Sequence, residues 1–180
     1  LPLLAMSAPI LASEIDKSLP AGCEIAHSRT LTNSIVGTEQ ISFPPIALQV
    51  RAPVEPRVFF SDGKSFLVYE LQLQNFTNDS LTLRGIEVID VDETLERPIA
   101  KYDDRALNSG VRAAGIDNGE EPRDLLKARQ GVTAFLCLAF DEKAVSPSKI
   151  RHRIVLDNGI VTGSIVRTQK DSVPVLGRPL

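Results

Sequence analysis

Residues Phe66 to Asp90, FLVYELQLQNFTNDSLTLRGIEVID, constrain the fold more than any other run of the chain. Leu67, Tyr69, Leu71 and Leu73 fall on one face of an extended chain, and Glu70, Gln72 and Gln74 on the other. That is the pattern of an antiparallel strand with one dry side and one wet side. The TNDS stretch turns the chain with residues whose side chains bond their own backbone. In the return strand the apolar phase changes, from Leu81 and Leu83 to Ile86 and Val88. Each buried aliphatic side chain contributes roughly 1.5–3 kcal/mol, too much for a face to stay misplaced over several residues. A β-bulge at Arg84-Gly85 is the expected correction.

The same reading extends along the chain. PPIALQVRAP gives a short strand over Ile46–Arg51, bounded by prolines on both sides. RVFFSDGKSFLVYELQLQ gives strand, turn and strand, because Asp62-Gly63 supplies the positive φ angles of a tight hairpin. GVTAFLCLAFD is apolar on both faces from Val132 to Phe140, as in a central strand. KIRHRIVLDNGIVTGSIVRT is a further hairpin, turned at Asp157-Asn158-Gly159. Residues 92–130 are rich in charge and poor in apolar positions. They predict a strand at Ile99–Tyr102, a helical turn or two at Asp103–Asn108, a long exposed connection, and a second helical piece at Arg123–Lys127. The sum is an all-β, immunoglobulin-like antiparallel two-sheet sandwich of about seven strands, with one or two short helices in a long connection.

At 180 residues, one domain plus terminal tail is the natural division. The expected parts are a signal-peptide remnant at 1–13, a tail or edge segment at 14–43, and the sandwich at 44–180. The uncharged LPLLAMSAPILAS is too short to span a bilayer and matches the apolar core and small-residue end of an export signal, cleaved near Ala12 or Ser13. The chain opens on Leu rather than Met, as expected for part of a longer reading frame. A lipid anchor at Cys23 is disfavoured, since Glu14, Asp16 and Lys17 separate it from the apolar run. The 20 basic and 23 acidic residues are interspersed, so no clustered basic face points to nucleic acid.

Candidate sites are sparse. His27 and His152 are the only histidines, and neither HExxH nor HxH spacing occurs. His152 shares the phase of Ile150, Ile154 and Leu156, which predicts an interior ring with a hydrogen-bond partner. Cys23 and Cys137 pair only in an oxidising compartment, and two cysteines do not establish a framework; a buried free thiol at Cys137 is the plainer expectation. A Cys137–His152 nucleophile and base pair lacks any local activating context. Asp90, Asp92 and Glu93 form a carboxylate cluster at a strand end, and Asp117–Glu121 another in a loop; solvated ends are preferred to calcium sites for both. Asn75-Phe76-Thr77 and Asn78-Asp79-Ser80 fit the glycosylation sequon, although the turn wants those residues anyway. Arg151 and Arg153 face outward, to pair with a neighbouring acid, to touch an anionic partner, or, as preferred, to sit on a solvated edge. No GxSxG elbow appears, and Thr162-Gly163-Ser164 reads as a small-residue step within a strand. No catalytic, cofactor-binding or metal-binding residue is therefore assigned.

The hairpin block, taken with PIAKYDDRAL, GVTAFLCLAFD, IRHRIVL and the closing VPVLGRPL, resembles the N-terminal domain of exported bacterial proteins that carry a lysostaphin-type zinc metallopeptidase domain downstream. The likeness runs in consistent order from about Ile46 to Leu180. It implies bacterial export, periplasmic or extracellular, and sets the sequons aside. That family's peptidase domain binds zinc through HxxxD and HxH elements, and this chain has neither: the fourth residue after His27 is Leu31, and after His152 it is Leu156. No catalytic residue carries over, and zinc is expected only in a downstream domain. The resemblance implies a non-catalytic accessory domain of a peptidoglycan-directed endopeptidase. Its partners would be a downstream catalytic domain and either peptidoglycan or an envelope protein, with no nucleic acid and no transmembrane segment. The alternative is a free-standing immunoglobulin-like binding module of the envelope.

Overall fold

A computed structural model describes residues 19, 22–26, 46–93, 97–103, 106–107, 110–113, 123–141 and 144–170. The export-signal stretch, most of 14–43, His27, Asp117–Glu121 and VPVLGRPL lie outside the described residues. Among those described there are twelve strands: β1 (Cys23–Ile25), β2 (Leu48–Arg51), β3 (Arg57–Ser61), β4 (Lys64–Asn75), β5 (Leu81–Asp90), β6 (Pro98–Asp103), β7 (Val111–Ala113), β8 (Leu125–Leu126), β9 (Gly131–Asp141), β10 (Lys149–Leu156), β11 (Gly159–Thr162) and β12 (Val166–Arg167). They form two sheets, and the chain is an all-β sandwich.

Each sheet is built on one long antiparallel pair with short strands along both flanks. In the first sheet β4 pairs β9 from Lys64↔Asp141 to Gln74↔Gly131. β1 and β7 share the far side of β9, and β2 and β3 share the far side of β4. In the second sheet β5 pairs β10, with β6 and β8 beyond β5 and β11 and β12 beyond β10. Splitting the outer strands explains why seven sequence signals become twelve segments.

The inner faces follow the alternation of the sequence. Leu67, Leu71 and Leu73 of β4, Leu136 and Leu138 of β9, Leu83, Ile86 and Val88 of β5, and Ile150 and Ile154 of β10 are all buried. The β3–β4 hairpin turns at Asp62 (φ 48°) and Gly63 (φ 71°), both left-handed as a tight hairpin requires. The bulge sits where the apolar phase changes. Val155 pairs with Gly85 and Leu156 with Leu83, so Arg84 is the extra residue of β5. Its guanidinium turns outward and makes a bidentate pair with Asp157 in the β10–β11 turn.

Three expectations change. Arg123–Lys127 is not helical: Leu125–Leu126 form β8, paired to Leu81 and Thr82 of β5. Asn75 is the physical reason, since its fully buried amide donates to the carbonyls of Leu126 and Lys127 and holds them extended beside the hairpin. Nor is the stretch after Asn108 simply an exposed connection, since Val111–Ala113 pairs with β9. Pro98–Asp103, Val111–Ala113 and Leu125–Leu126 join the two sheets, and Leu107, Val111 and Leu126 are buried in the core. The helical turn expected at Asp103–Asn108 is present at Ala106 and Leu107, although Asp103 itself closes β6. Finally, Cys137 is not a free thiol. It is bonded to Cys23, which β1 brings beside it in parallel register.

Candidate functional site

On one side of the sandwich both flanking strands are interrupted at the same height. β2 covers β4 from Gln72 to Asn75 and β3 covers it from Lys64 to Val68, leaving Tyr69–Leu71 without a flanking partner. Pro53 and Pro56 lie in the gap, and a proline has no N–H to continue a ladder. Opposite, β11 pairs β10 over Arg153–Leu156 and β12 over Lys149–Ile150, so the chain steps off β10 beside His152. Gly163 makes that step. Its N–H donates to the His152 carbonyl at 2.8 Å, and a Cβ on it would stand 3.0 Å from Val50 Cγ1. Thr162-Gly163-Ser164 is therefore the junction between two strands, not a step within one, and glycine is needed because the two sheets close to contact there.

Between β2 and the β11–β12 junction lies a cavity of about 660 Å³, whose lining includes Val50, Arg51, Glu55, His152, Ser164 and Arg167. Its size suits a small organic ligand. His152 is interior, as its strand phase predicts, and its Nε2 lies 2.7 Å from the Tyr69 hydroxyl of the opposing sheet. Burial brings the imidazole down to about 4. Burial, then the neighbouring Tyr102, holds the Tyr69 phenol well above its ordinary value. Both groups are therefore neutral near pH 7. The phenol is the stronger acid of the two, so its O–H donates to Nε2, and the ring proton resides on Nδ1. Arg51 and Arg167 have no ion pair or side-chain hydrogen bond among the described residues. Glu55 accepts a hydrogen bond from Gln169 Nε2 at 2.7 Å.

This cavity was not read from the sequence. The signals were RAPVEP and TGS, one at each strand interruption, but nothing local says that the two interruptions face one another.

The other candidates resolve as framework. Cys137 lies on the outer face of the first sheet and His152 inside the second, so the thiol and the imidazole are not brought together; the sulfur is in any case bonded to Cys23. Asp92 accepts hydrogen bonds from both the backbone N–H and the hydroxyl of Ser148, each 2.6 Å. The Ser148 hydroxyl is the chief reason the Asp92 carboxyl lies below its ordinary range. Asp90 accepts from the Asp92 N–H at 2.9 Å. Among the described residues no three His, Cys, Asp or Glu side chains gather as a metal site would need. Asn75 is wholly buried, with its Oδ1 accepting from the Thr77 N–H and hydroxyl, so its amide is committed to the hairpin tip. Asn78 accepts from Arg129 at 2.7 Å.

Arg153 is not on a solvated edge, because β10 lies inside its sheet. It meets Glu87 on β5 at 2.6 Å, and Lys101 on β6 reaches the same carboxylate at 2.9 Å. Burial works to raise the Glu87 carboxyl, but the hydrogen bonds from Lys101 and Arg153 outweigh it and leave it lowered.

The outer face of the first sheet has two halves. Toward the β3–β4 turn, Phe59 stacks on Phe66 with centroids 5.4 Å apart, beside Val68, Ile25 and the Cys23–Cys137 bridge. Val68 is 47% exposed and Phe135, one rung on, is 49% exposed. A cavity of about 210 Å³ lies among Cys23, Phe59, Phe66, Val68 and Cys137. Toward the other end the same face carries Gln72, Gln74 and Thr133.

Among the described residues no helix is long and apolar enough to cross a membrane. Compared with protein families and with curated proteins, the chain matches no family model and no curated protein.

Proposed function

We propose that the chain is a non-catalytic accessory domain of an exported, peptidoglycan-directed zinc endopeptidase, positioning or shielding a catalytic domain that follows it. The observation that carries this reading is the disulfide-braced apolar half of the first sheet's outer face. Contiguous exposed apolar surface of this kind marks protein contacts, and here it sits on rigid paired strands rather than a loop. The bridge itself favours an oxidising compartment, as export to the periplasm or cell exterior provides. It also occupies the one thiol that a nucleophilic mechanism would call on. The resemblance of the hairpin block and of GVTAFLCLAFD to the front domain of such peptidases supplies the catalytic partner. Zinc belongs to that partner, held by elements this chain does not contain.

The experiment is to read the native gene past Leu180 and purify its entire product. A continuing frame with HxxxD and HxH, one bound zinc per chain and murein cleavage support the accessory role. A stop codon just beyond Leu180, or a full product that neither holds zinc nor cleaves murein, overturns it.

A second reading, a free-standing binding module of the envelope, is favoured by the cavity beside His152. Its mark would be retention of the chain, without any downstream domain, on isolated envelope material.

A further inference from the structure

We propose that the cavity between β2 and the β11–β12 junction binds a single carboxylate, presented by the C-terminus of a short peptide. The inference is independent of the accessory role, since it concerns a site within this chain alone.

Charge selects the ligand class. Arg51 and Arg167 are among the residues that line the cavity, neither has an acidic partner among the described residues, and Glu55 contributes one negative charge. The surplus is one positive charge, which matches a carboxylate and not a phosphate dianion. Guanidinium groups suit this role because their forked N–H donors match the two oxygens of a carboxylate. The floor matches as well. With Nε2 accepting from Tyr69, the His152 ring keeps Nδ1–H, for which the described residues offer no acceptor, and His152 is among the residues that line the cavity. The Ser164 hydroxyl adds a further donor at the wall. The lining is therefore rich in donors, and a ligand must bring acceptors.

Shape selects a peptide end. β2 ends at Arg51, and the N–H of Phe76 donates to the Ala47 carbonyl, so alternate residues of β2 turn their backbone groups toward β4. Val50 lies in the other phase, with its N–H and C=O directed away from β4, and it lines the cavity. An extended peptide laid along Val50 would gain strand-like hydrogen bonds and bring its terminal carboxylate between the two arginines.

The test is a titration of the chain with tri-alanine, followed by amide and imidazole nitrogen NMR. The expected result is saturable shifts at Val50, Gly163 and Ser164 and at the His152 ring. Tri-alanine amide and the Arg51→Gln/Arg167→Gln double variant should each weaken binding about tenfold or more, the scale of losing a charge-assisted hydrogen bond. Both arginines are exposed, so the variant is expected to keep the wild-type amide spectrum elsewhere. Glu55→Gln should tighten binding. Shifts that do not saturate, that are equal with the amide, or that survive the double variant overturn the proposal. So does displacement of the peptide by inorganic phosphate at lower concentration, which would make the site a phosphate site.

Discussion

The Tyr69 hydroxyl and His152 Nε2, eighty-three residues apart in sequence, meet at 2.7 Å between the two sheets. A second phenol crosses the other way, Tyr102 of β6 donating to the Cys137 carbonyl of β9 at 2.7 Å. These two bonds are directional where the aliphatic core is not, and they fix which strand of one sheet lies over which strand of the other.

His152 makes the fold acid-sensitive in a defined window. The unfolded ring takes a proton near 6.5, whereas the native ring resists until about 4. Between those values the unfolded state binds more protons, so stability falls as pH falls and is fully present above 6.5. A displacement of that size corresponds to about 3 kcal/mol. Urea midpoints measured from pH 7 to pH 4 should drop through this window and flatten in His152→Gln.

Tyr69→Phe removes the donor and leaves the buried Nε2 without a partner. The expected cost is about 1–3 kcal/mol, read from chemical denaturation at pH 7. The double variant Tyr69→Phe/His152→Leu should recover part of it, because both polar partners are then gone.

The Cys23–Cys137 bridge closes a loop across a sequence separation of 114. Constraint of the unfolded chain on that scale is worth about 4–5 kcal/mol in the chain-entropy account. Cys23→Ser/Cys137→Ala should lower the unfolding free energy by that order, as should reduction of the wild type.

Asn75→Ala deletes an amide that serves Asp79, Leu126, Lys127 and Thr77 together. About 2–3 kcal/mol should be lost, as for buried groups left unsatisfied. Hydrogen exchange should speed first at Leu83, whose N–H donates to Asp124 beside β8.

Glu87 joins β5, β6 and β10 through Arg153 and Lys101. Its lowered carboxyl stabilises the fold above the ordinary range near 4.5 and ceases to do so as pH falls through its native value. A Glu87→Gln/Arg153→Met cycle should give a coupling of about 1 kcal/mol, weakened by salt.

The two hairpins and the bulge were legible because their causes are local. Alternation fixes the faces of β4, Asp62-Gly63 fixes its turn, and the phase change at Arg84-Gly85 admits one remedy. β8 was not legible, since Leu125 and Leu126 are extended only because Asn75 binds the adjacent carbonyls. Arg153 read as an edge residue because Glu87, its neighbour on the β5 side, comes from distant sequence. The bridge and the cavity share this character. Cys23 meets Cys137 through a three-residue parallel strand, and Val50 meets Gly163 across the sandwich only after both sheets have formed.

The proposed exported role rests on the Cys23–Cys137 bridge that braces the sandwich. The most direct measurement is the intact mass of the gene product taken from its own cells, denatured and alkylated before and after reduction. The account predicts no alkylation before reduction and two labelled thiols, at Cys23 and Cys137, after it. Labelling of both cysteines without reduction would contradict it.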